Sequence, residues 1–274
     1  MPIKFSVLAP GQQRIHHYGW KPDLPDHRDL TYAVPHATAT ALPSKIDLRP
    51  TCPPVYDQGQ LGSCTANAIA GAIEFDQKKQ AKPEFTPSRL FIYYNERVME
   101  SSSPTVDGGA QIRDGVKSVA SLGVCKETSW PYDDTNTDPA PCTTCKFAQK
   151  PTAACFTEAL QYKITAYQRL NSAVLNTLKG CLASGYPFVF GFTVYESFES
   201  QAVAKSGIVP MPAPKEKMVG GHAVLAVGYD DSTSQFIVRN SWGVGWGLQG
   251  YCMMPYSYLI NGQLADDFWT IQTV

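Results

Sequence analysis

The sequence predicts an α+β chain built from two unlike lobes, and three observations lead there. Helical periodicity is concentrated in the first half of the chain, and strand-like apolar runs are concentrated in the second. With 43% hydrophobic and 17% charged residues over 274 positions, there is ample material for a sizeable core. Elements segregated in this way pack as unlike layers or lobes, and the cleft between such lobes is a natural substrate site.

Residues 1–43 hold many prolines and few periodic apolar positions, and Lys21-Pro22-Asp23-Leu24-Pro25-Asp26-His27-Arg28-Asp29 reads as extended or turning chain. They form an N-terminal extension with no amphipathic helix of useful length, not expected to fold apart from the rest. Residues 44–274 form the body. Its helical part runs to about residue 155 and its strand-rich part from about 156.

The first helix begins at or beside Cys64, because Ala66, Ile69, Ala70 and Ile73 fall at i, i+3, i+4 and i+7. A second is signalled by Thr86-Pro87-Ser88, with Thr86 as N-cap and Pro87 at the first helical position, ahead of Leu90, Phe91 and Tyr94. A third carries Ile112, Val116 and Val119 and stops near Gly123. A fourth, opened by Asn171 or Ser172, spans Val174, Leu175, Leu178 and Leu182 up to Gly185. Strands are expected at 187–195, 222–229 and 236–240.

Formal net charge is −1 and no dense basic run occurs, so the electrostatic footprint of a nucleic-acid or anionic-membrane binder is missing. Small neutral partners or peptides fit better. No apolar stretch approaches eighteen residues, and the opening Met1 to Pro10 loses its apolar character too early for a signal-peptide core. The chain thus reads as soluble, with the compartment open. Eight cysteines are too dilute for a disulfide-dense scaffold but many for a reducing cytosol. If Cys64 stays reduced, seven remain, so at least one more thiol is unpaired or bonded elsewhere.

A nucleophilic thiol must ionise near neutral pH, and two devices lower its pKa: a helix N-terminus and a neighbouring imidazolium. Cys64 has the first, behind the glycine-rich run Gln58-Gly59-Gln60-Leu61-Gly62-Ser63. Four of the five histidines, His16, His17, His27 and His36, lie in the extension; His222 opens the apolar run of 222–229, where a strand could hold it rigidly. Taken singly, each residue has a plain reading. A cysteine on a helix is usually a small core residue, a histidine in a strand a hydrogen-bonded core group, an asparagine such as Asn240 a turn former, and Gly108-Gly109 a turn.

Together these residues resemble the papain family of cysteine peptidases. The run Gln58 to Cys64, then Gly221-His222-Ala223-Val224, then Arg239-Asn240-Ser241-Trp242-Gly243-Val244-Gly245-Trp246-Gly247 with Gly250-Tyr251, are similar to that family's three signature blocks, in its order. The resemblance covers residues 44–274 and is strongest to the bacterial branch. His222 and Asn240 follow Cys64 at somewhat more than the family's usual separation of about 130 to 150 residues, which implies loop insertions. The implied fold has a helical left lobe and an antiparallel, barrel-like right lobe with the active site between them.

The resemblance implies Cys64 as nucleophile, His222 as acid and base, Asn240 as the group orienting it, and Gln58 as an oxyanion donor. It implies substrate contacts for Gly108, Gly109, Gly221 and Trp246, with Trp242 and Trp246 shielding the His–Asn contact. Asp266 is implied near the floor of the pocket that selects the second residue before the scissile bond. No cofactor or metal is called for, and the partners are peptide or protein substrates of a monomeric enzyme. Where the family often has cysteine and an aromatic residue, this chain has Leu61 and Thr65, so the disulfide anchoring the nucleophile loop is expected to be absent. The extension is shorter than the family's usual inhibitory propeptide, and part of it is expected along the cleft, restraining activity.

Other readings stay open at this level. Cys142-Thr143-Thr144-Cys145 with Cys155 invites a zinc site, although a second matching pair is missing. A thiol acyltransferase would share the acyl-enzyme but commonly has Asp at the third position, and a peptidase scaffold retained only for binding would not need the intact quartet.

Overall fold

In the computed structural model, residues 18–39, 41–135 and 141–273 are described; the chain start, with His16 and His17, lies outside them. The helices are α1 (His36–Ala39), α2 (Cys64–Lys79), α3 (Arg89–Met99), α4 (Ile112–Leu122), α5 (Ala153–Ala159), α6 (Leu175–Ala183), α7 (Gln201–Ser206) and α8 (Tyr256–Leu259). The strands are β1 (Lys45–Asp47), β2 (Ile164–Arg169), β3 (Phe188–Tyr195), β4 (Met218–Asp230), β5 (Gln235–Arg239), β6 (Tyr251–Pro255) and β7 (Ala265–Thr273). They make one antiparallel sheet in the order β2-β7-β3-β4-β5-β6, with β1 also on β4. The α+β reading holds, with helices α2 to α4 on one side of the chain and the sheet on the other.

The sheet is buried on both faces, which is why its central strands read as continuous apolar runs rather than alternating ones. Along β4, Ala223, Leu225 and Val227 join the core beneath the helices. The intervening Val224 and Ala226 join a second core with Phe188, Phe190, Phe192, Phe236, Val238 and Phe268. Helix α2 is the hinge of this arrangement: every residue from Cys64 to Gln77 is buried. Its small residues permit burial all round. A Cβ on Gly71 would sit 3.3 Å from Arg239 Nε.

Two helix starts lie later than predicted. At α3 the cap is Ser88, whose Oγ accepts from Phe91 N at 3.1 Å, so Thr86 and Pro87 belong to the approach. At α6 Asn171 caps only a turn, its Oδ1 accepting from Ala173 N at 3.2 Å, and the helix begins at Leu175. By contrast, α4 ends at the predicted glycine: Gly123 has φ +77 and its N–H closes on Val119 O.

Cys142 and Cys145 are bridged to each other, which disposes of the zinc reading for that pair. The other cysteines are free and buried, and Leu61 is a core residue, so no disulfide anchors the nucleophile loop. No helix among the described residues is long and apolar enough to cross a membrane.

Arg97 ties the fold to the cleft. Its side chain is 1% exposed, and it donates to four carbonyls, those of Tyr93 (2.8 Å), Pro104 (2.7 Å), Val106 (3.0 Å) and Phe147 (2.6 Å). This fixes the loop leading to Gly108, where Tyr93 Oη bonds Asp107 and accepts from Gly109 N, and Asp107 accepts from Gly62 N. Lysine cannot reproduce the planar fork. Arg97→Lys is expected to cost about 2–4 kcal/mol and to lower the melting temperature by roughly 5–10 °C in a thermal melt; an unchanged melt would show that the loop is held by other contacts.

Candidate active site

The nucleophile loop is bound from both sides. Gln58 N donates to Ser241 O at 2.8 Å, Tyr132 Oη reaches Gln58 O at 2.9 Å and Ser63 Oγ at 2.6 Å, and Asn67 Nδ2 donates back to Ser63 O at 2.9 Å. Gly59 has φ +56, and a Cβ there would meet Asp134 Oδ2 at 1.6 Å, so the turn requires glycine. The loop delivers Cys64 to the first position of α2, where unpaired amide dipoles favour an anion.

His222 lies on β4 opposite Phe192 of β3, and its Nε2 is 2.8 Å from Asn240 Oδ1. That oxygen also accepts from Ser241 N at 2.8 Å, so the atom facing the imidazole is an acceptor and Nε2 carries the hydrogen. Nδ1, buried and with no hydrogen-bond partner among the described residues, is therefore the basic nitrogen. Trp242 packs on the imidazole at 5.1 Å between ring centroids, with Phe198 and Trp246 behind it. Trp246, predicted to touch substrate, is 5% exposed and makes its ring contacts to Trp242 and Phe198.

Gln58 is fully buried and its amide plane is fixed at both ends: Nε2 donates to Leu61 O at 2.8 Å and Oε1 accepts from Ser241 Oγ at 2.6 Å. One N–H of the amide remains. Beneath α2, Thr65 Oγ1 donates at 2.7 Å to Glu96, a buried carboxyl held well above its usual range by burial. The sequence offered no signal for Glu96.

The N-terminal extension lies across this site. Trp20 N donates to Gly221 O at 3.0 Å, Ala110 N to Gly19 O at 2.7 Å, and Lys21 N to Ala110 O at 3.0 Å, making a parallel bridge between Trp20 and Ala110. The backbone predicted to pair from Gly108 and Gly109 thus pairs one residue later. Gly109 instead supplies room: at φ +71, its Cβ would stand 2.2 Å from Gly19 O. Gly221, beside the histidine, leaves room for the extension; a Cβ there would stand 2.7 Å from Trp20 O. Tyr18 packs edge-on to His222 at 6.1 Å, and its hydroxyl bonds Glu199.

Under this cover Cys64 and His222 are fully buried. Burial pushes the thiol up to about 12, against the pull of the Ala223 and Gly19 amides, and pushes the imidazole down to about 4, against the bond it donates to Asn240. Near neutral pH both groups are uncharged in this closed state.

Asp266 is not the pocket floor. Its side chain is 51% exposed and pairs with Arg169 at 2.9 Å. The inward carboxylate is that of Asp267, fully buried, which accepts from Trp20 Nε1 at 3.0 Å and Asp23 N at 2.7 Å and pairs with Arg169 at 3.0 Å. The pairing of β3 with β7 slips between Val189 and Gly191, and Asp267 takes φ +58. This extra residue turns Asp267 inward in place of its neighbour. Beyond Trp20 the extension stays attached: Asp23 accepts from Trp269 Nε1 (2.9 Å), Asp29 pairs with Arg113 (2.5 Å), and Thr31 bridges edge strand β2 at Arg169.

The family model for papain family cysteine proteases matches residues 42–264. An uncharacterized peptidase C1-like protein of Acanthamoeba polyphaga mimivirus is 44% identical, over 94% of this chain and 87% of its own. Chymopapain of Carica papaya is 30% identical, over 82% of this chain and 57% of its own. Among solved structures, xylellain, a cysteine protease from Xylella fastidiosa, superposes with TM-score 0.88 at 48% identity, covering 96% of this chain and 98% of that one.

Proposed function

The chain belongs to the papain family of cysteine proteases, and from that premise we propose that it is an endopeptidase acting through Cys64, His222, Asn240 and Gln58 and restrained by its own N-terminal segment. The observation that carries the chemistry is the bond from His222 Nε2 to Asn240 Oδ1, which leaves Nδ1 as the base. In the open enzyme the Cys64 proton passes to Nδ1 and the thiolate attacks the substrate carbonyl carbon. The resulting oxyanion is met by the free N–H of Gln58 and the backbone N–H of Cys64. The imidazolium returns its proton to the leaving amine, and water, deprotonated by the same nitrogen, then releases the acyl group from sulfur.

Residues 1–43 are read as the regulatory extension and 44–274 as the peptidase, a monomer whose cleft and cover come from one chain. Trp242 excludes water from the His–Asn contact and Trp246 supports it from behind. Asn240→Ala is expected to lower kcat/KM on a fluorogenic peptide by on the order of 10²-fold, since a loosely held imidazole meets the thiol in the wrong geometry. Activity within twofold of wild type would remove Asn240 from the role. Incorporation of an added amine in preference to hydrolysis would favour the acyltransferase reading.

The closed cleft also suits a second reading, a scaffold kept for binding with its chemistry permanently covered. Opening the cover, as argued below, separates the two.

A further inference from the structure

Resting on the endopeptidase reading, we infer that the pocket holding Trp20 selects substrates by a tryptophan side chain, and that Asp267 is the residue that reads its indole N–H. The pocket is a slot shaped for a flat ring. A Cβ on Gly191 would fall 2.0 Å from Trp20 Cε2 and 2.3 Å from Nε1, and one on Gly221 would fall 2.8 Å from Cε3, so any side chain at either position would fill the space the indole takes. Trp20 as a residue is partly buried and packs against the core beneath the helices.

At the far end of the slot Trp20 Nε1 donates to Asp267 Oδ2 at 3.0 Å. Asp267 Oδ1 is engaged by Arg169, so Oδ2 is the oxygen turned to the slot, and its two donors, Trp20 Nε1 and Asp23 N, both come from the extension. When the indole alone is removed, Asp267 Oδ2 keeps Asp23 N and lacks the donor that Trp20 supplied, and such a site favours a ligand that restores the donor over one that only fills the space. Phenylalanine and leucine fill part of the slot and bring no donor. Arginine also brings donors, and with Asp23, Asp29, Asp266 and Asp267 set against Arg113 and Arg169 it is the competitor that the test must separate from tryptophan.

The test uses the full-length chain with Trp20→Ala, which empties the slot. Titration with indole is compared with titration by 1-benzothiophene, an isostere that is more apolar and lacks the N–H. Indole is expected to bind at least about 10-fold tighter, whereas apolar burial alone would favour benzothiophene. In the same chain, peptides differing only at the second residue before the scissile bond should rank tryptophan about 10- to 10²-fold above benzothienylalanine in kcat/KM, with that gap lost in Trp20→Ala/Asp267→Ala. Benzothiophene binding as tightly as indole, or arginine or benzothienylalanine peptides cleaved as fast as tryptophan ones, overturns the inference. An indole preference without cleavage of any peptide would support the pocket assignment while the endopeptidase reading fails.

Discussion

Cys64→Ala is expected to lower kcat/KM for peptide hydrolysis by about 10⁴- to 10⁶-fold, measured in a chain whose cleft has been opened. The size follows from how the site divides its work. On the proposed mechanism the Cys64 thiolate forms the acyl-enzyme bond, and the remaining free thiols, all buried, lie in the cores, away from the start of α2. What survives is the contribution of Gln58 and of substrate binding, which by themselves hold a reacting carbonyl but offer it no nucleophile. His222→Ala should cost nearly as much, and the double variant scarcely more than either single one, because the pair acts as a unit. Mass spectrometry adds an independent reading: an electrophilic epoxide should label the opened chain at Cys64 and leave its Cys64→Ala variant unmodified. Residual activity within tenfold of wild type would place the nucleophile elsewhere.

Much of this site was legible because its chemistry is local to short runs of sequence. Cys64 at a helix start behind a glycine-rich turn was visible within seven residues, whereas His222 and Asn240 stood out only because their runs, with that of Cys64, resemble three family blocks in order. Gly123 was legible as the end of α4, since a glycine that takes a positive φ has one immediate consequence. The illegible parts depend on register and distant packing. Asp266 and Asp267 are adjacent carboxylates, and only the bulge on β7 decides which faces inward. The pairing at Ala110 rather than Gly109 follows from Tyr93 Oη occupying the Gly109 amide, a contact set by Arg97 and Asp107. Strand β2 and helix α5 carry too few periodic apolar positions to announce themselves; their order comes from Trp269 and the helical core.

Unseating the extension is expected to raise activity by roughly 30- to 150-fold in the full-length chain carrying Trp20→Ala. The indole is half-buried against Gly191 and Gly221 and bonded to Asp267, so its truncation removes about 2–3 kcal/mol from the closed state. Gly19→Ala gives the same direction by a different cause. Its Cβ would stand 1.6 Å from the carbonyl oxygen of Gly62, backbone that Asp107 holds in place, so the closed path is barred while Trp20 remains. Neither change touches Asp23, Asp29 or Thr31, whose contacts keep the rest of the extension on the body. Ionisation should move with access. In the closed chain the thiol is neutral far above neutral pH and the imidazole far below it, so alkylation of Cys64 by iodoacetamide at pH 6 should be slow. Once solvent returns, the burial that drove both shifts is relieved, the helix start and the imidazolium favour the thiolate, and labelling at pH 6 should accelerate together with hydrolysis. Faster labelling without hydrolysis would identify a binding scaffold, and no change in either variant would show that residues 18–20 do not restrain the site.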